Sequence, residues 1–353
     1  MTAKFLAASM AAVLLVAAHR PVQLTAAEAW VNATGSLAHK MSECGTLTLL
    51  APVPQSEAII AGVAARGLWT NTTGTVWTRI GDGEGSDRIS NRASWIVFDP
   101  KNPDVFWESG IYSDTGIYKT TDGGKTFKRL GKVAHNDYVS VDFTDPDRQT
   151  LLAGGHEQPS TVHLSTDGGQ NWTNIGESIP GSAGATTHPL VINALTFLAN
   201  ATSMMGGAGG VFKTRDAGRS WQKVSAYGPS APPLKASNGA IYWPANNSVL
   251  ARSIDAGSTW TPVGSGLKNV TPVELPSGHI VAVGETTLMI TGDGGATWVP
   301  LGPPLPYRPD GLVYSRQRKA FFMWRSECKQ EVARDAVMSF NFEVPVTGSS
   351  GGR

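Results

Sequence analysis

The sequence is poor in charge and in cysteine. Of its 353 residues only 16% are charged, the formal net charge is +1, and there are two cysteines. A nearly neutral chain lacks the strongly basic surface that attracts nucleic acid, so nucleic acid is not expected as a partner. The metal-binding patterns His-x-His, HExxH and CxxC do not occur. We therefore predict no metal and no cofactor.

Long apolar runs are also scarce. The run at residues 5–18 follows Lys4 and is too short to cross a bilayer, which is typical of a secretory signal. We predict a signal peptide over 1–27, no membrane span, and a monomer secreted to the extracellular space or the periplasm. Residues 346–353 are predicted to be a disordered tail.

The abundant feature is a repeated eight-residue phrase. Its five close copies read TTDGGKTF at 120–127, STDGGQNW at 165–172, TRDAGRSW at 214–221, SIDAGSTW at 253–260 and TGDGGATW at 291–298. A sixth copy, TNTTGTVW at 70–77, has Thr72 in place of the aspartate. Recurrence every 38 to 50 residues indicates a repeat architecture.

Each copy predicts a β-hairpin. The first is flanked by expected strands at Ile117–Thr120 and Thr126–Leu130, and the second by Val162–Ser165 and Asn171–Ile175. In such a turn the aspartate accepts hydrogen bonds from backbone amides and glycine adopts positive φ. The aromatic residue then packs beneath the hairpin.

The phrase resembles the Asp-box, or bacterial neuraminidase repeat, of sialidases, xyloglucan-active glycosidases and sortilin-type receptors. The resemblance covers roughly 44–301 and implies an all-β, sialidase-like β-propeller over 28–345. Box aspartates are structural in those families. This assigns a turn-forming role to Asp122, Asp167, Asp216, Asp255 and Asp293.

The boxes also set the expected blades, which lie near 44–80, 95–130, 138–175, 191–224, 234–263 and 271–301. A seventh blade without a box is expected over 311–343, with its outer strand supplied by 29–37 so that no sheet edge stays free. A six-bladed ring is the alternative. In the seven-bladed ring Cys44 and Cys328 meet near the closure, where they either form a disulfide or remain two thiols.

In propellers, ligands usually occupy the face formed by the links between blades. Arginines there recognise acidic groups, and paired carboxylates suit glycoside hydrolysis. A histidine or tyrosine beside an arginine-held uronate suits β-elimination. The catalytic candidates are His135, Asp137, His156 and Glu157. The substrate-binding candidates are Arg66, Arg88, Arg92, Asp114, Asn136, Tyr307, Arg308 and Arg325.

The expected function is therefore a secreted, sialidase-like glycoside hydrolase whose partner is a glycan or polysaccharide. A true sialidase is not expected, because the nearest match to the Arg-Ile-Pro motif, at 78–81, lacks the proline. A uronate-targeting polysaccharide lyase on the same scaffold is the second interpretation. A non-catalytic propeller that binds glycan or protein is the third.

Overall fold

The computed structural model describes residues 29–112, 115–181, 188–201 and 209–343. In these ranges two short 3₁₀ helices occur, at Gly35–Leu37 and Gly176–Ser178, and the remaining regular structure is β. The strands form seven antiparallel four-stranded sheets, one per blade. The prediction of an all-β, seven-bladed propeller is confirmed, and the six-bladed alternative is wrong.

Strands are numbered β1 to β28 along the chain, and each blade is read from the inner to the outer strand. Blade one contains Leu47–Pro52, Ile59–Val63, Gly67–Asn71 and Thr78–Arg79 (β2–β5). Blade two contains Arg92–Asp99, Asn102–Ile111, Gly116–Thr120 and Lys128–Arg129 (β6–β9). Blade three contains Asn136–Val141, Leu151–Gly155, Val162–Ser165 and Thr173–Asn174 (β10–β13). Blade four contains Leu190–Asn193, Thr196–Ala201, Gly210–Thr214 and Gln222–Ser225 (β14–β17).

The remaining blades complete the ring. Blade five contains Leu234–Lys235, Ile241–Ala245, Val249–Ser253 and Thr261–Ser265 (β18–β21). Blade six contains Val273–Glu274, Ile280–Val283, Leu288–Thr291 and Val299–Leu301 (β22–β25). Blade seven contains Gly311–Ser315, Ala320–Trp324 and Val337–Asn341 (β26–β28), with Val31–Asn32 (β1) outermost.

The N-terminal strand closes the ring. Val31 pairs with Ser339 and Asn32 with Met338, so the beginning of the described chain completes the last blade. Nearby, Cys44 and Cys328 form a disulfide that joins positions 284 residues apart in sequence. The ring is thus closed both by strand pairing and by a covalent bond.

The repeated phrases form one kind of turn, built by hydrogen bonds from its first, third and seventh residues. At the first copy, Thr120 Oγ1 donates to Asp122 Oδ1 at 2.8 Å and accepts from the Gly124 amide at 3.0 Å. The Asp122 carboxylate accepts from the amide and the hydroxyl of Thr126, at 2.9 and 2.6 Å. The same pattern recurs at Asp167, Asp216, Asp255 and Asp293.

These bonds keep the turn carboxylates ionised. Hydrogen bonds from Asn171 and Ser165 lower the pKa of Asp167 to about 2. Such a carboxyl carries no proton near neutral pH and cannot act as a general acid there. The turn aspartates are therefore ionised groups whose oxygens accept hydrogen bonds within their own turns.

A glycine in each turn lies flat against the preceding blade. A Cβ added at Gly169 would come within 2.8 Å of Leu130 Cδ1, and one at Gly295 within 2.7 Å of Val263 Cβ. The turns therefore also set how closely neighbouring blades pack. Between the blades lie buried aromatic and aliphatic side chains; one cluster includes Phe106 and Phe127 of blade two together with Trp77 of blade one.

The sixth, imperfect copy uses a different set of bonds. The strand here runs one residue into the phrase and ends at Asn71, whereas the other strands end at the first Ser or Thr of theirs. The Asn71 amide donates to the carbonyls of Gly74 and Val76 at 3.2 and 2.6 Å. Arg318 of blade seven reaches this turn, donating to the Asn71 Oδ1 at 2.8 Å and to the Glu57 carbonyl at 2.5 Å. An arginine from the blade without a repeat thus ties the last blade to the first.

Replacing Arg318 with methionine should lower the free energy of unfolding by about 2 kcal/mol, because hydrogen bonds from a charged, half-buried donor are lost while the aliphatic stem is kept. Urea unfolding measures the difference. The exposed Arg316, two positions away, is the matched control, and Arg316→Met should change stability by less than about 0.5 kcal/mol. Equal effects of the two substitutions would contradict the assignment.

The loops of the propeller fall on two faces. The repeat turns lie beside the turns that join first and second strands, as shown by the hydrogen bond from the Gly123 amide to the Asp104 carbonyl at 2.9 Å. We call this side the repeat face. The links between blades meet the loops between second and third strands on the other side, where the His156 amide donates to the His135 carbonyl at 2.6 Å. We call that side the rim face.

Candidate functional site

Three loops of blades two and three bring a set of polar side chains together on the rim face. Strand β7 ends at Ile111 and delivers Tyr112 to the rim. The link into β10 carries His135, and Asp137 follows at the start of that strand. Strand β11 ends at Gly155, so His156 and Glu157 begin the next loop. The rim cluster is defined here as Tyr112, His135, Asp137, His156 and Glu157, together with Arg92.

A hydrogen-bonded relay runs through the centre of the rim cluster. His156 Nδ1 lies 3.0 Å from both carboxylate oxygens of Asp137, and His156 Nε2 lies 3.2 Å from the Tyr112 hydroxyl. Because a carboxylate only accepts, Nδ1 carries the hydrogen in this contact. In the neutral ring Nε2 is then an acceptor, and the Tyr112 hydroxyl donates to it.

The charge of His156 is set mainly by its carboxylate partner. The hydrogen bond to Asp137 raises the pKa of His156 above its usual value of 6.5, and partial burial opposes this rise. The negative charge of Glu157 adds to the rise, whereas the positive charge of Arg92 opposes it. His156 is therefore cationic over a wider pH range than an exposed histidine.

Aromatic contacts hold the relay in place. The rings of His135 and His156 stack with centroids 6.1 Å apart, and the Tyr112 ring meets both edge-on at 5.5 and 5.4 Å. The Arg92 guanidinium lies 6.0 Å from the Tyr112 ring centroid. Tyr112 is still 45% exposed, so the cluster is ordered on its inner side and open to a ligand on its outer side.

The backbone at this site is strained. Tyr112, His135 and Glu157 have φ values of 65°, 54° and 51°, in the left-handed region that favours glycine. Such conformations cost of order 1–3 kcal/mol each in non-glycine residues and are concentrated at functional sites. Positive φ also occurs at turns away from the rim, for example at Ala217 and Ala256 of the repeat turns, so here it describes how the three side chains are aimed.

The central channel begins beside the rim cluster. Asp137 precedes Tyr138, whose ring packs on Trp95 at 4.9 Å and on His188 at 5.7 Å. Trp95 and Tyr138 line a cavity of about 680 Å³, whose wall is formed by inner strands and includes Val139 and Leu190. Burial lowers the pKa of His188 to about 4, so this imidazole is neutral. The rim is thus polar and charged, whereas the adjoining channel wall is largely apolar.

Several residues nominated from the sequence lie outside the rim cluster. The Asn136 side chain is fully buried and donates to the Gly154 carbonyl at 3.3 Å. Tyr307 donates to the Ala336 carbonyl at 2.9 Å. Arg325 forms an ion pair with Asp335. Arg66, Arg88 and Arg308 are exposed elsewhere, and Asp114 lies outside the described residues.

The structure brings together His135, Asp137, His156 and Glu157, the four residues nominated for catalysis, and their role remains a prediction. Tyr112 was not nominated. It is two positions before Asp114, so attention to the short loop after β7 was the available signal. In the described ranges no group of three or more His, Cys, Asp or Glu side chains has the geometry to hold a metal ion. Within those ranges, too, no helix is long and apolar enough to cross a membrane.

Comparison with known proteins changes the functional interpretation. A sequence model described as "Photosynthesis system II assembly factor YCF48" matches residues 96–243. The photosystem II assembly lipoprotein Ycf48 of Synechococcus sp. (strain CC9902) is 31% identical over 142 residues, which are 37% of this chain and 38% of that protein. The match thus spans less than two-fifths of the relative's length. Over these residues the chain is similar to BNR-type propellers.

Solved structures share the fold at low identity. The structure of YCF48 bound to D1 peptide has a TM-score of 0.55 and 14% identity, covering 90% of this chain and 97% of that one. The GH74 enzyme of Niastella koreensis has a TM-score of 0.59 and 16% identity, covering 87% of this chain and 44% of that one. The extracellular domain of a one-component system from B. thetaiotaomicron has a TM-score of 0.62 and 8% identity, covering 91% of this chain and 42% of that one.

The expectation of a glycoside hydrolase with a glycan partner is therefore wrong. The matching sequence model and the curated relative are assembly factors, and a structure with this fold holds a peptide of another protein. The similarity to GH74 enzymes extends to the fold alone. The physical reason for the error is that loop arginines, carboxylates and histidines serve a binding surface as well as a hydrolase. In the structure the arginines of the expected substrate site are dispersed, and Arg325 is neutralised by Asp335.

Proposed function

We propose that this chain is a non-catalytic propeller that binds a segment of another protein at the rim cluster. The observation that carries the proposal is that the stretch matching the assembly-factor model, residues 96–243, contains the whole relay of Tyr112, His156 and Asp137. That stretch runs from blade two into blade five. The peptide bound to a YCF48 propeller of the same fold supports a polypeptide as the class of ligand.

The chemistry of the rim cluster suits a polypeptide. A peptide backbone presents carbonyl acceptors and amide donors, and the cluster offers hydroxyl, imidazole, guanidinium and carboxylate groups to both. Tyrosine and arginine are residue types enriched at binding hot spots, because they combine apolar contact with directed hydrogen bonds. The strained backbone at Tyr112, His135 and Glu157 fixes these groups before a ligand arrives, which lowers the entropy cost of binding.

We also propose that the five repeat turns are Asp-boxes of the sialidase-like type and serve only the fold. Their carboxylates lie on the repeat face and are saturated by hydrogen bonds within each turn, as at Asp122 and Asp293. No partner is therefore assigned to that face.

Export of the protein is part of the same proposal. The apolar run at 5–18 supports a signal peptide over 1–27, followed by the propeller to residue 345 and a tail over 346–353. The disulfide between Cys44 and Cys328 suits an oxidising compartment outside the cytoplasm. A relative named as a lipoprotein is compatible with this location.

The proposal is tested by selecting peptides from a phage-displayed random library on the purified exported protein. We expect a family of enriched peptides whose synthetic versions bind the wild type. Replacement of His156 with alanine should weaken their binding at least about tenfold, because truncation of a binding hot spot typically costs more than 1 kcal/mol. Fluorescence anisotropy measures both affinities.

The matched control is Arg219→Gln, which removes an exposed charge on the repeat face. It should leave peptide affinity unchanged. Failure to enrich any peptide, or equal effects of the His156 and Arg219 substitutions, would contradict the proposal. Strong binding on a glycan array by a protein that selects no peptide would contradict it as well.

A further inference from the structure

The rim cluster has hydrogen-bond donors that its own residues do not use. The Arg92 guanidinium donates to no residue in the part of the chain that the structure describes, although it lies against the backbone of Gly45 and faces the Tyr112 ring. A Cβ placed on Gly45 would come within 2.3 Å of the guanidinium carbon, so the group is closely packed on this side. Its planar array of N–H donors is therefore held in place and is not used by the described residues, and such an array matches a carboxylate.

A carboxylate already approaches this place. Glu157 Oε1 lies 3.9 Å from His156 Nε2, and the Glu157 side chain is 64% exposed. The loop that carries Glu157 thus brings a negative group to the open side of the relay without burying it. A carboxylate from another chain, displacing Glu157 toward solvent, would meet the same imidazole edge, the Tyr112 hydroxyl and Arg92.

We propose that Arg92, Tyr112 and His156 form a receptor for an acidic side chain of the bound segment, and that protonation of His156 turns the receptor on. This inference rests on the proposed function and names the chemical class of its ligand. The occupant is an aspartate or glutamate side chain within a protein segment.

The direction of one hydrogen bond explains the switch. When His156 is neutral, its Nε2 accepts the Tyr112 hydroxyl proton, so the outer side of the hydroxyl offers only lone pairs to a ligand. When His156 is protonated, Nδ1–H still donates to Asp137, and Nε2–H now donates to the Tyr112 oxygen. The hydroxyl proton is then free to donate outward. Protonation of His156 thus frees a hydroxyl hydrogen for a carboxylate and adds a positive charge beside it.

Among the described residues, charged and titratable groups from several elements face the imidazole. Asp137 stabilises the cation from β10 and Glu157 from its own loop, whereas Arg92 on β6 disfavours it. His135 stacks on the ring, and Tyr112 meets it edge-on. A bound carboxylate would offset the repulsion between Arg92 and the His156 cation. Ligand binding and protonation therefore reinforce each other, and affinity must fall as pH rises through the pKa of His156.

The test compares fluorescently labelled penta-glutamate and penta-glutamine peptides by anisotropy, at about pH 5.5 and about pH 8. We expect the glutamate peptide to bind about tenfold more tightly at the lower pH, and the glutamine peptide to bind at neither. Tyr112→Phe keeps the ring contacts and removes the hydroxyl, and it should lose about tenfold in affinity at the lower pH. Arg92→Gln should lose at least as much.

Two further variants and a control sharpen the test. His156→Ala should bind the glutamate peptide weakly at both pH values. Glu157→Gln removes the internal competitor, so it should tighten binding at the lower pH by about threefold. Arg219→Gln removes one positive charge, as Arg92→Gln does, but on the repeat face, and it should bind as the wild type does. Thermal unfolding of each variant verifies that it is folded.

The inference is overturned if the glutamine peptide binds as well as the glutamate peptide. It is also overturned if Tyr112→Phe retains the affinity and pH profile of the wild type. Peptides selected from the random library that lack acidic residues, yet depend on His156, would leave the proposed function standing and remove this inference. Absence of any selected peptide would remove both.

Discussion

Joint replacement of Cys44 and Cys328 with serine should lower the free energy of unfolding by about 5 kcal/mol. The disulfide joins residues 284 positions apart, and cross-linking so long a loop removes a large amount of conformational entropy from the unfolded chain. Urea unfolding of the oxidised wild type and of the double variant measures the difference. Wild-type protein treated with a reductant should behave like the variant.

The folded ring should survive this substitution. Hydrogen bonds continue across the closure on either side of the disulfide, with the Gly45 amide donating to the Glu327 carbonyl at 3.0 Å and the Ser42 amide to the Gln330 carbonyl at 2.8 Å. We therefore expect unchanged secondary structure by circular dichroism at low temperature, with a lowered unfolding midpoint. A stability difference below about 1 kcal/mol would show that the disulfide does not restrain the unfolded chain as proposed.

Glu108 should make the stability of the protein depend on pH. Its carboxyl is fully buried between strands of blade two, and its described hydrogen-bond partner is the Asn91 amide, at 3.1 Å. Burial raises the pKa of Glu108 to about 8, and the hydrogen bond from Asn91 opposes this rise. The folded protein thus holds a neutral acid at this position at neutral pH.

The sign of the effect follows from proton linkage. Below pH 4.5 the group is protonated in both the folded and the unfolded chain, and its full contribution to stability is present. Between pH 4.5 and about 8 only the folded chain holds the proton, so unfolding releases it and rising pH favours unfolding. The contribution is lost over this window, by about 1.4 kcal/mol per pH unit and about 5 kcal/mol in all.

Glu108→Gln should remove this dependence, because the amide is neutral at every pH and nearly the same shape. The free energies of unfolding of the wild type and the variant are measured from about pH 4.5 to about pH 8.5. Over this range the wild type should lose several kcal/mol of stability relative to the variant. Glu84→Gln, at an exposed position in the link between blades one and two, is the control and should show no such trend. A constant difference between the wild type and Glu108→Gln would mean that Glu108 titrates normally.

The fold could be predicted from the sequence because its determinants are local. Each Ser/Thr-x-Asp-x-Gly phrase contains both ends of the hydrogen bonds that form its turn, as Thr120, Asp122 and Thr126 do. The spacing of the turns then sets the blades. The contacts between distant residues that support the imperfect sixth turn were not predictable in the same way. Nothing local shows that Arg318 reaches the imperfect turn at Asn71, because 247 residues separate them.

The candidate site was predictable only in part, for the same reason. His135, Asp137, His156 and Glu157 belong to neighbouring loops of one blade, so the blade register alone brings them near each other. Tyr112 comes from another blade, and its hydroxyl reaches His156 only because its backbone adopts a left-handed conformation that tyrosine rarely takes. The class of ligand was not predictable, since the same residue types serve hydrolysis and binding.

The central claim is that a protein segment binds at the rim cluster, and a crystal structure of the complex with the highest-affinity selected peptide tests it most directly. The account predicts peptide density across Tyr112 and His156, with the repeat turns at Asp122, Asp167 and Asp216 unoccupied. Peptide bound on the repeat face, with the rim cluster empty, would contradict it.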